Sequence, residues 1–185
     1  SGSSIVTQPE EVRRKIGFLT SELKLEDFFT PDYLYDFFSE LYGIPTDRRD
    51  ARKRMLFARF GIQEFAQVRV RDLSTGMKQK VSLVISLVQD PEIIIFDEPT
   101  NGLDILTAKV VTDFLLDLKE QGKTIIISTH IFSLVEKICD RVGIIINGRM
   151  AACEDLRTLC GDKSLEDRFF EIYEAVNGED ENHDK

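Results

Sequence analysis

The chain has 185 residues, 24 Lys and Arg against 33 Asp and Glu, a formal net charge of −9 and 42% hydrophobic residues. This is a soluble globular composition, large enough to bury a core without disulfides or a structural metal. A sequence pI near 4.8 argues against phosphate-backbone binding as the main activity, since that affinity comes from clustered Lys and Arg, but leaves open small anions held by backbone N–H groups.

Cys139, Cys153 and Cys160 have no CxxC spacing. With only His130 and His183 beside them no zinc cluster follows, and reduced thiols in a cytosolic protein are expected. No apolar stretch reaches the roughly 18 residues of a spanning helix, so any membrane role is expected to be peripheral. Ser1-Gly2-Ser3-Ser4 reads as a linker and not as a signal peptide.

In chain order, Ile16-Gly17-Phe18-Leu19 reads as a strand. Thr30-Pro31 then supplies an N-cap and first-turn proline for a helix ending before Gly43, with Leu34, Phe37, Phe38 and Leu41 on its inner face. Seven of the 17 aromatics fall between Phe28 and Tyr42, more than a surface helix requires, which suits either a helix wedged between lobes or a docking surface. A second helix, about Thr46 to Phe60, opens with a basic cluster (Arg48, Arg49, Arg52, Lys53, Arg54), expected as a solvated face, and closes at Gly61. A third begins at Ser74 and carries Met77, Val81, Val84, Ile85 and Val88 until Asp90-Pro91 stops it.

Ile93 to Phe96 and Thr124 to Thr129 are continuous apolar runs, expected inside a parallel sheet; Leu106 to Leu118 forms the amphipathic helix between them, a right-handed βαβ unit. A helix from about Phe132 to Cys139 follows. Val142 to Ile146 and Met150 to Ala152 flank Asn147-Gly148, a strong hairpin signal. One more helix, near Ser164 to Val176, precedes an acidic stretch from Gly178 to Lys185 that reads as disordered.

Three features carry chemistry. Asp97-Glu98 closes a central strand at the edge where open α/β sheets bind ligands, and a carboxylate there suits Mg²⁺ while its neighbour can polarise water. Ser74-Thr75-Gly76 opens a helix whose N–H groups can hold a phosphate, although plain capping explains most such starts. His130 follows the second buried strand at the same edge; a lone histidine is more often structural, but this edge raises the odds of a phosphate or water contact.

In this order the three features resemble the nucleotide-binding domain of ATP-binding cassette (ABC) transporters. Leu73-Ser74-Thr75-Gly76-Met77-Lys78-Gln79-Lys80 resembles its signature, residues 93–98 its Walker B strand, Asn101-Gly102-Leu103-Asp104 its D-loop, and Ser128-Thr129-His130 its switch histidine. Glu10 to Leu19 and Thr30 to Pro45 resemble sodium- and multidrug-efflux ATPase subunits. The resemblance implies an α/β fold, a P-loop NTPase-like parallel sheet core with an inserted α-helical lobe. It further implies that residues 1–27 end the N-terminal core region and Q-loop, 28–90 form the helical subdomain, 91–160 the RecA-like core, and 161–185 a C-terminal helix and acidic tail.

By the same resemblance, Ser74 and Gly76 would contact the γ-phosphate of an ATP bound mainly to an opposing cassette. Asp97 would hold Mg²⁺, Glu98 would be the general base, Asp104 would sit at the dimer interface, and His130 would contact the γ-phosphate and orient the water. The implied partners are a transmembrane permease subunit and a second nucleotide-binding subunit in a head-to-tail dimer, with no nucleic acid. The implied place is the cytoplasmic face of the membrane, and the implied process is export driven by ATP hydrolysis.

The pattern breaks in two places. No G-x-x-x-x-G-K-[ST] occurs; at Gly122-Lys123-Thr124 the position five residues earlier is Asp117, and the tripeptide leads from a helix into a strand, the reverse of a P-loop. In the family that loop lies N-terminal to where this sequence begins, so the chain is expected to be N-terminally truncated, its N-terminal part missing, and inactive alone. Where the family has its Q-loop glutamine this sequence has Ser21, next to Glu22; Thr75 and Met77 replace glycine and glutamine in the signature. Two further readings stand beside this one: a DNA-repair or chromosome ATPase head, disfavoured by the absence of heptads and by the acidic charge, and a non-catalytic module offering only the signature half-site.

Overall fold

The structure is a computed structural model that describes residues 2, 4–20 and 25–180. The chain gathers into two compact units, Ser1–Ser128 and Thr129–Lys185.

The first unit is built on a parallel three-stranded sheet. β1 (Ile16–Leu19), β2 (Ile93–Asp97) and β3 (Thr124–Ser128) lie in the order β1-β2-β3, with Leu19 opposite Phe96 and Phe96 opposite Ile127. A short helix, α1 (Pro9–Lys15), leads into β1. No sequence expectation covered it, because it buries nothing; its proline start, Glu10 and Glu11 in the first turn and three bases in the last are dipole and capping signals alone. Between β1 and β2 the chain inserts a helical lobe, α2 (Pro31–Leu41), α3 (Thr46–Phe60), two 3₁₀ turns and α4 (Thr75–Ser86). α5 (Ile105–Glu120) then links β2 to β3, giving the expected β-α-β pair.

Leu19, Ile94 and Phe96 are buried on one face of this sheet. The other face stays open at its margins, where Phe18 and Ile126 flank Ile95 in register. The expectation that both apolar strands lie fully inside the sheet therefore needs correcting: β3 is at the edge of the described sheet, and its residues alternate between exposed and half-buried. Gly17 is required where β1 meets the end of α4, because a Cβ there would stand 2.6 Å from the Ser86 carbonyl oxygen and 2.7 Å from the Pro91 ring.

α2 also turns differently from its expected orientation. Its buried residues are Pro31, Leu34, Tyr35 and Ser39, whereas Phe37 is 46% and Leu41 67% exposed. Tyr35 packs edge-on against Phe57 of α3 at 5.6 Å, and Ser39 stays buried by donating its hydroxyl to the Tyr35 carbonyl at 2.7 Å. The basic cluster of α3 is only partly solvated. Arg48 and Arg54 are exposed, but Lys53 bonds Asp32 and Asp36, Arg49 bonds Asp36 at 3.3 Å, and Arg52 bonds Asp90 at 3.1 Å. α3 is tied to α5 as well, by Arg59 to Asp117 at 2.5 Å and by Phe60 edge-on to Phe114.

The second unit contains α6 (Phe132–Ile138), the antiparallel hairpin β4 (Arg141–Ile146) and β5 (Arg149–Asp155), α7 (Leu156–Cys160) and α8 (Leu165–Asp180). Asn147 and Gly148 turn the hairpin with φ of 50° and 74°, as the dipeptide predicts. Ile144, Ile146, Leu159 and Leu165 form its core. α8 continues through Gly178 to Asp180, so the first three residues of the expected disordered stretch are helical; residues 181–185 lie outside the described residues.

Candidate functional site

β2 ends in Asp97, and the register sets it opposite Ser128 of β3. The Ser128 hydroxyl donates to Asp97 Oδ1 at 2.6 Å, a pairing that sequence reading missed because it follows only from the strand register. Glu98 turns the chain away from the sheet in the left-handed region, φ +48°, which residues other than glycine rarely adopt. Its N–H donates to the Ser128 carbonyl at 2.9 Å and its carbonyl accepts from Asn101 N–H at 3.1 Å. Such strain concentrates at functional sites, where the surroundings over-determine it.

The turn passes through Gly102, φ +72°, to Asp104, the N-cap of α5. Asp104 Oδ1 accepts from the N–H groups of Leu106 and Thr107, each at 3.0 Å, and Oδ2 from the Thr107 hydroxyl at 2.7 Å. The Thr107 hydroxyl and backbone, with help from Leu106 N–H and the charge of Lys80, hold this carboxyl below its usual range. Both carboxylate oxygens are thus engaged by α5, an alternative to the expected dimer role that only the structure makes visible.

Ser74 caps α4 by accepting from Met77 N–H at 3.3 Å, and the first turn carries no acid. The α4 start abuts the 101–104 turn: a Cβ on Gly76 would lie 3.8 Å from the Gly102 carbonyl oxygen and 3.9 Å from Leu103. The first unit therefore sets the α4 start, with Ser74 and Gly76, against the turn that leads into Asp104, and separately places Asp97 and Glu98 at the tip of β2. His130 belongs to the second unit, two residues past the end of β3, where Thr129 accepts from Ile131 N–H at 3.2 Å. Ser21 and Glu22, at the expected Q-loop, lie outside the described residues.

Among the described residues no group of three His, Cys, Asp or Glu is placed to hold a metal. Asp97 with the Ser128 hydroxyl is instead a hard-oxygen pair, which fits a Mg²⁺ that takes one carboxylate and completes its shell with water and phosphate oxygens.

A second feature of the first unit is an apolar cleft of about 760 Å³ between α1, β1, α2 and α4. Phe29, Tyr33 and Phe37 form one wall as a stacked ladder, with ring centroids 4.5 and 6.3 Å apart. Among the described residues no helix is long and apolar enough to cross a membrane.

Residues 2–101 match the family profile described as ABC transporter. The chain is 38% identical over 167 residues to the ABC transporter ATP-binding protein NatA of Bacillus subtilis, covering 90% of this chain and 68% of that one. It is 36% identical over 118 residues to a fluoroquinolones export ATP-binding protein of Mycobacterium tuberculosis, covering 64% of this chain and 38% of that one. It therefore spans between about a third and two thirds of these curated relatives. Among solved structures, an ATP-binding subunit of an ABC transporter superposes with a TM-score of 0.87 at 27% identity, over 92% of this chain and 73% of the other. With the profile covering more than half of its residues, the chain belongs to the ABC transporter family of ATP-binding proteins.

Proposed function

We propose that this chain is part of the ATP-driven subunit of an export-type ABC transporter, and that it contributes the signature-helix and Walker B portions of a composite MgATP site shared head to tail with a second cassette. One observation carries the proposal. Gly76 sits in the first turn of α4 without a positive φ, and a Cβ there would make only ordinary contacts. Among the described residues neither conformation nor packing asks for glycine, which in a helix costs up to about 1 kcal/mol relative to alanine. A phosphate approaching the α4 N–H groups from outside does ask for it.

In this reading Ser74 and Gly76 meet the γ-phosphate of an ATP held mainly by the opposing cassette. Asp97, steadied by Ser128, holds Mg²⁺, which when bound neutralises charge across the phosphates. Glu98 takes the proton of the attacking water, its strained backbone fixing the direction of the carboxylate. His130 contacts the γ-phosphate and orients the water, and Asp104 lies at the dimer boundary with its carboxylate held by α5. The export sense rests on the likeness to the mycobacterial fluoroquinolones export ATP-binding protein. The subunit would work on the cytoplasmic face of the membrane, with its permease docked in the aromatic cleft.

Isothermal titration of this chain with MgATP is expected to show little or no binding, because the sequence contains no G-x-x-x-x-G-K-[ST]; micromolar binding would overturn the composite-site reading. Joined to a Walker A-bearing segment, Glu98→Gln should abolish hydrolysis and trap an ATP-bound dimer, and full turnover by that variant removes Glu98 from the mechanism. Replacing Phe29, Tyr33 and Phe37 by alanine should uncouple transport while sparing ATPase activity. A proportional loss of both would refute the docking role.

A further inference from the structure

Asp90, between the end of α4 and the start of β2, stands in the left-handed region with φ +55°. Glycine takes that conformation without strain and aspartate does not. The case is the converse of Gly76: here conformation asks for glycine, and the chain has a carboxylate instead.

That carboxylate joins three elements. Its Oδ1 lies 3.0 Å from Lys123 Nζ and 3.1 Å from Arg52 Nη2, and Lys123 Nζ also donates to the Asp90 carbonyl at 3.1 Å. Arg52 comes from α3, where its Nε donates to the Leu87 carbonyl at 3.1 Å, and Lys123 immediately precedes β3. The end of α4 is thus tied at one point to the helical lobe and to the sheet. The Arg52 and Lys123 side chains are only 21% and 17% exposed, so solvent screens these pairs less than it screens surface ones. A strained backbone held by converging contacts is what a position with a task requires.

What is fixed at this end of α4 is felt at the other. The helix has 12 residues, about 18 Å at the usual rise. A tilt of about 3° at the Asp90 end therefore moves the start by roughly 1 Å, and a misplacement of roughly 1 Å can cost on the order of 100-fold in rate. We propose that Asp90 is a positioning residue: by holding Arg52 and Lys123 on one carboxylate it sets the angle at which the α4 start meets the phosphate. This rests on the composite-site reading above and adds to it a residue at the far end of the helix from the nucleotide.

Two variants test it. Asp90→Gly relieves the backbone and removes both ion pairs; Asp90→Asn keeps an oxygen for Arg52 and Lys123 without the charge. In the chain itself, with Cys139, Cys153 and Cys160 replaced by alanine, spin labels at Lys78→Cys on α4 and Glu120→Cys on α5 report the angle of α4 as a distance distribution. It should be narrow with Asp90, clearly broader with Asp90→Gly and intermediate with Asp90→Asn. In an ATP-hydrolysing assembly kcat should fall about tenfold for Asp90→Gly and about threefold for Asp90→Asn, while KM for MgATP changes less than about twofold because the opposing cassette holds most of the nucleotide. Urea midpoints measured beside these separate position from folding. If turnover falls only in proportion to the folded fraction, or if the distance distribution is the same in Asp90→Gly as in the native chain, the positioning role is overturned. If Asp90→Gly turns over at the native rate while Gly76→Ala is slow, the positioning role falls and the composite site stands. If Gly76→Ala is as fast as the native protein, both fall.

Discussion

α4 and α5 begin side by side, and they satisfy their first turns in opposite ways. α5 is closed by its own chain: Asp104 gives three acceptor contacts to Leu106 and Thr107 and sets a negative charge on the dipole end. α4 is capped by a neutral serine through one contact at 3.3 Å, carries no acid in its first turn, and has a glycine where nothing among the described residues demands one. The same local grammar thus leaves one helix start complete and the other prepared for an anion from outside. A capping residue alone does not mark a phosphate site; a helix start that its own chain leaves electrostatically unanswered does so more clearly.

The largest expected effect tests the open start. Gly76→Ala should leave the fold intact or stabilise it by up to about 1 kcal/mol, since alanine is the better helix former and the added methyl meets no close atom. In an ATP-hydrolysing assembly, however, it should lower turnover on the order of 100-fold by displacing the phosphate from the α4 N–H groups. Urea denaturation and a phosphate-release assay read the two together. A variant that is stable and fully active would mean that this glycine has no ligand-facing role.

The next effect is one of stability. Ser74→Ala should cost about 1 kcal/mol by urea denaturation with an unchanged slope. Asp104→Ala should cost more than Ser74→Ala, because it removes three contacts and not one, and Asp104→Asn should recover most of the loss, since asparagine caps nearly as well. Equal losses at the two positions would erase the distinction between the helix starts.

How much of this was legible in the sequence depends on how local each cause is. Ser74, Thr30, Gly61 and Asn147-Gly148 act within one turn, and each stands where local chemistry places it. The wrong inner face of α2 arose because Phe37 and Leu41 are as apolar as Leu34. Tyr35 won the buried side through its edge contact with Phe57, which lies in another helix. The basic cluster of α3 looked solvated until Asp32, Asp36 and Asp90, distant in sequence, came within reach of it. β3 reads as a buried strand because its side chains are apolar, but burial depends on what lies beside an edge, which no strand encodes by itself. At the site, residue types at Asp97, Glu98 and Asp104 were readable. The Ser128 to Asp97 bond and the left-handed turn at Glu98 were not, since both depend on strand register and tertiary restraint.

The smallest expected effect is a pH dependence that separates the two helix starts. Thr107 and Leu106 hold the Asp104 carboxyl below its ordinary value of 3.8. A carboxyl depressed on folding adds stability that is fully present above its unfolded value and is lost as pH falls through the folded one. The gap in urea midpoint between the native chain and Asp104→Asn should therefore stay constant from about pH 8 to pH 5 and shrink below about pH 4. Salt should weaken it, because the group is exposed. Comparing Ser74→Ala with the native chain should show no change in their gap over the same range, since serine does not titrate there. A gap at Asp104 that persists unchanged down to about pH 2 would mean that its cap works through shape and hydrogen bonding alone, and that the charge difference between the two starts contributes nothing to the fold.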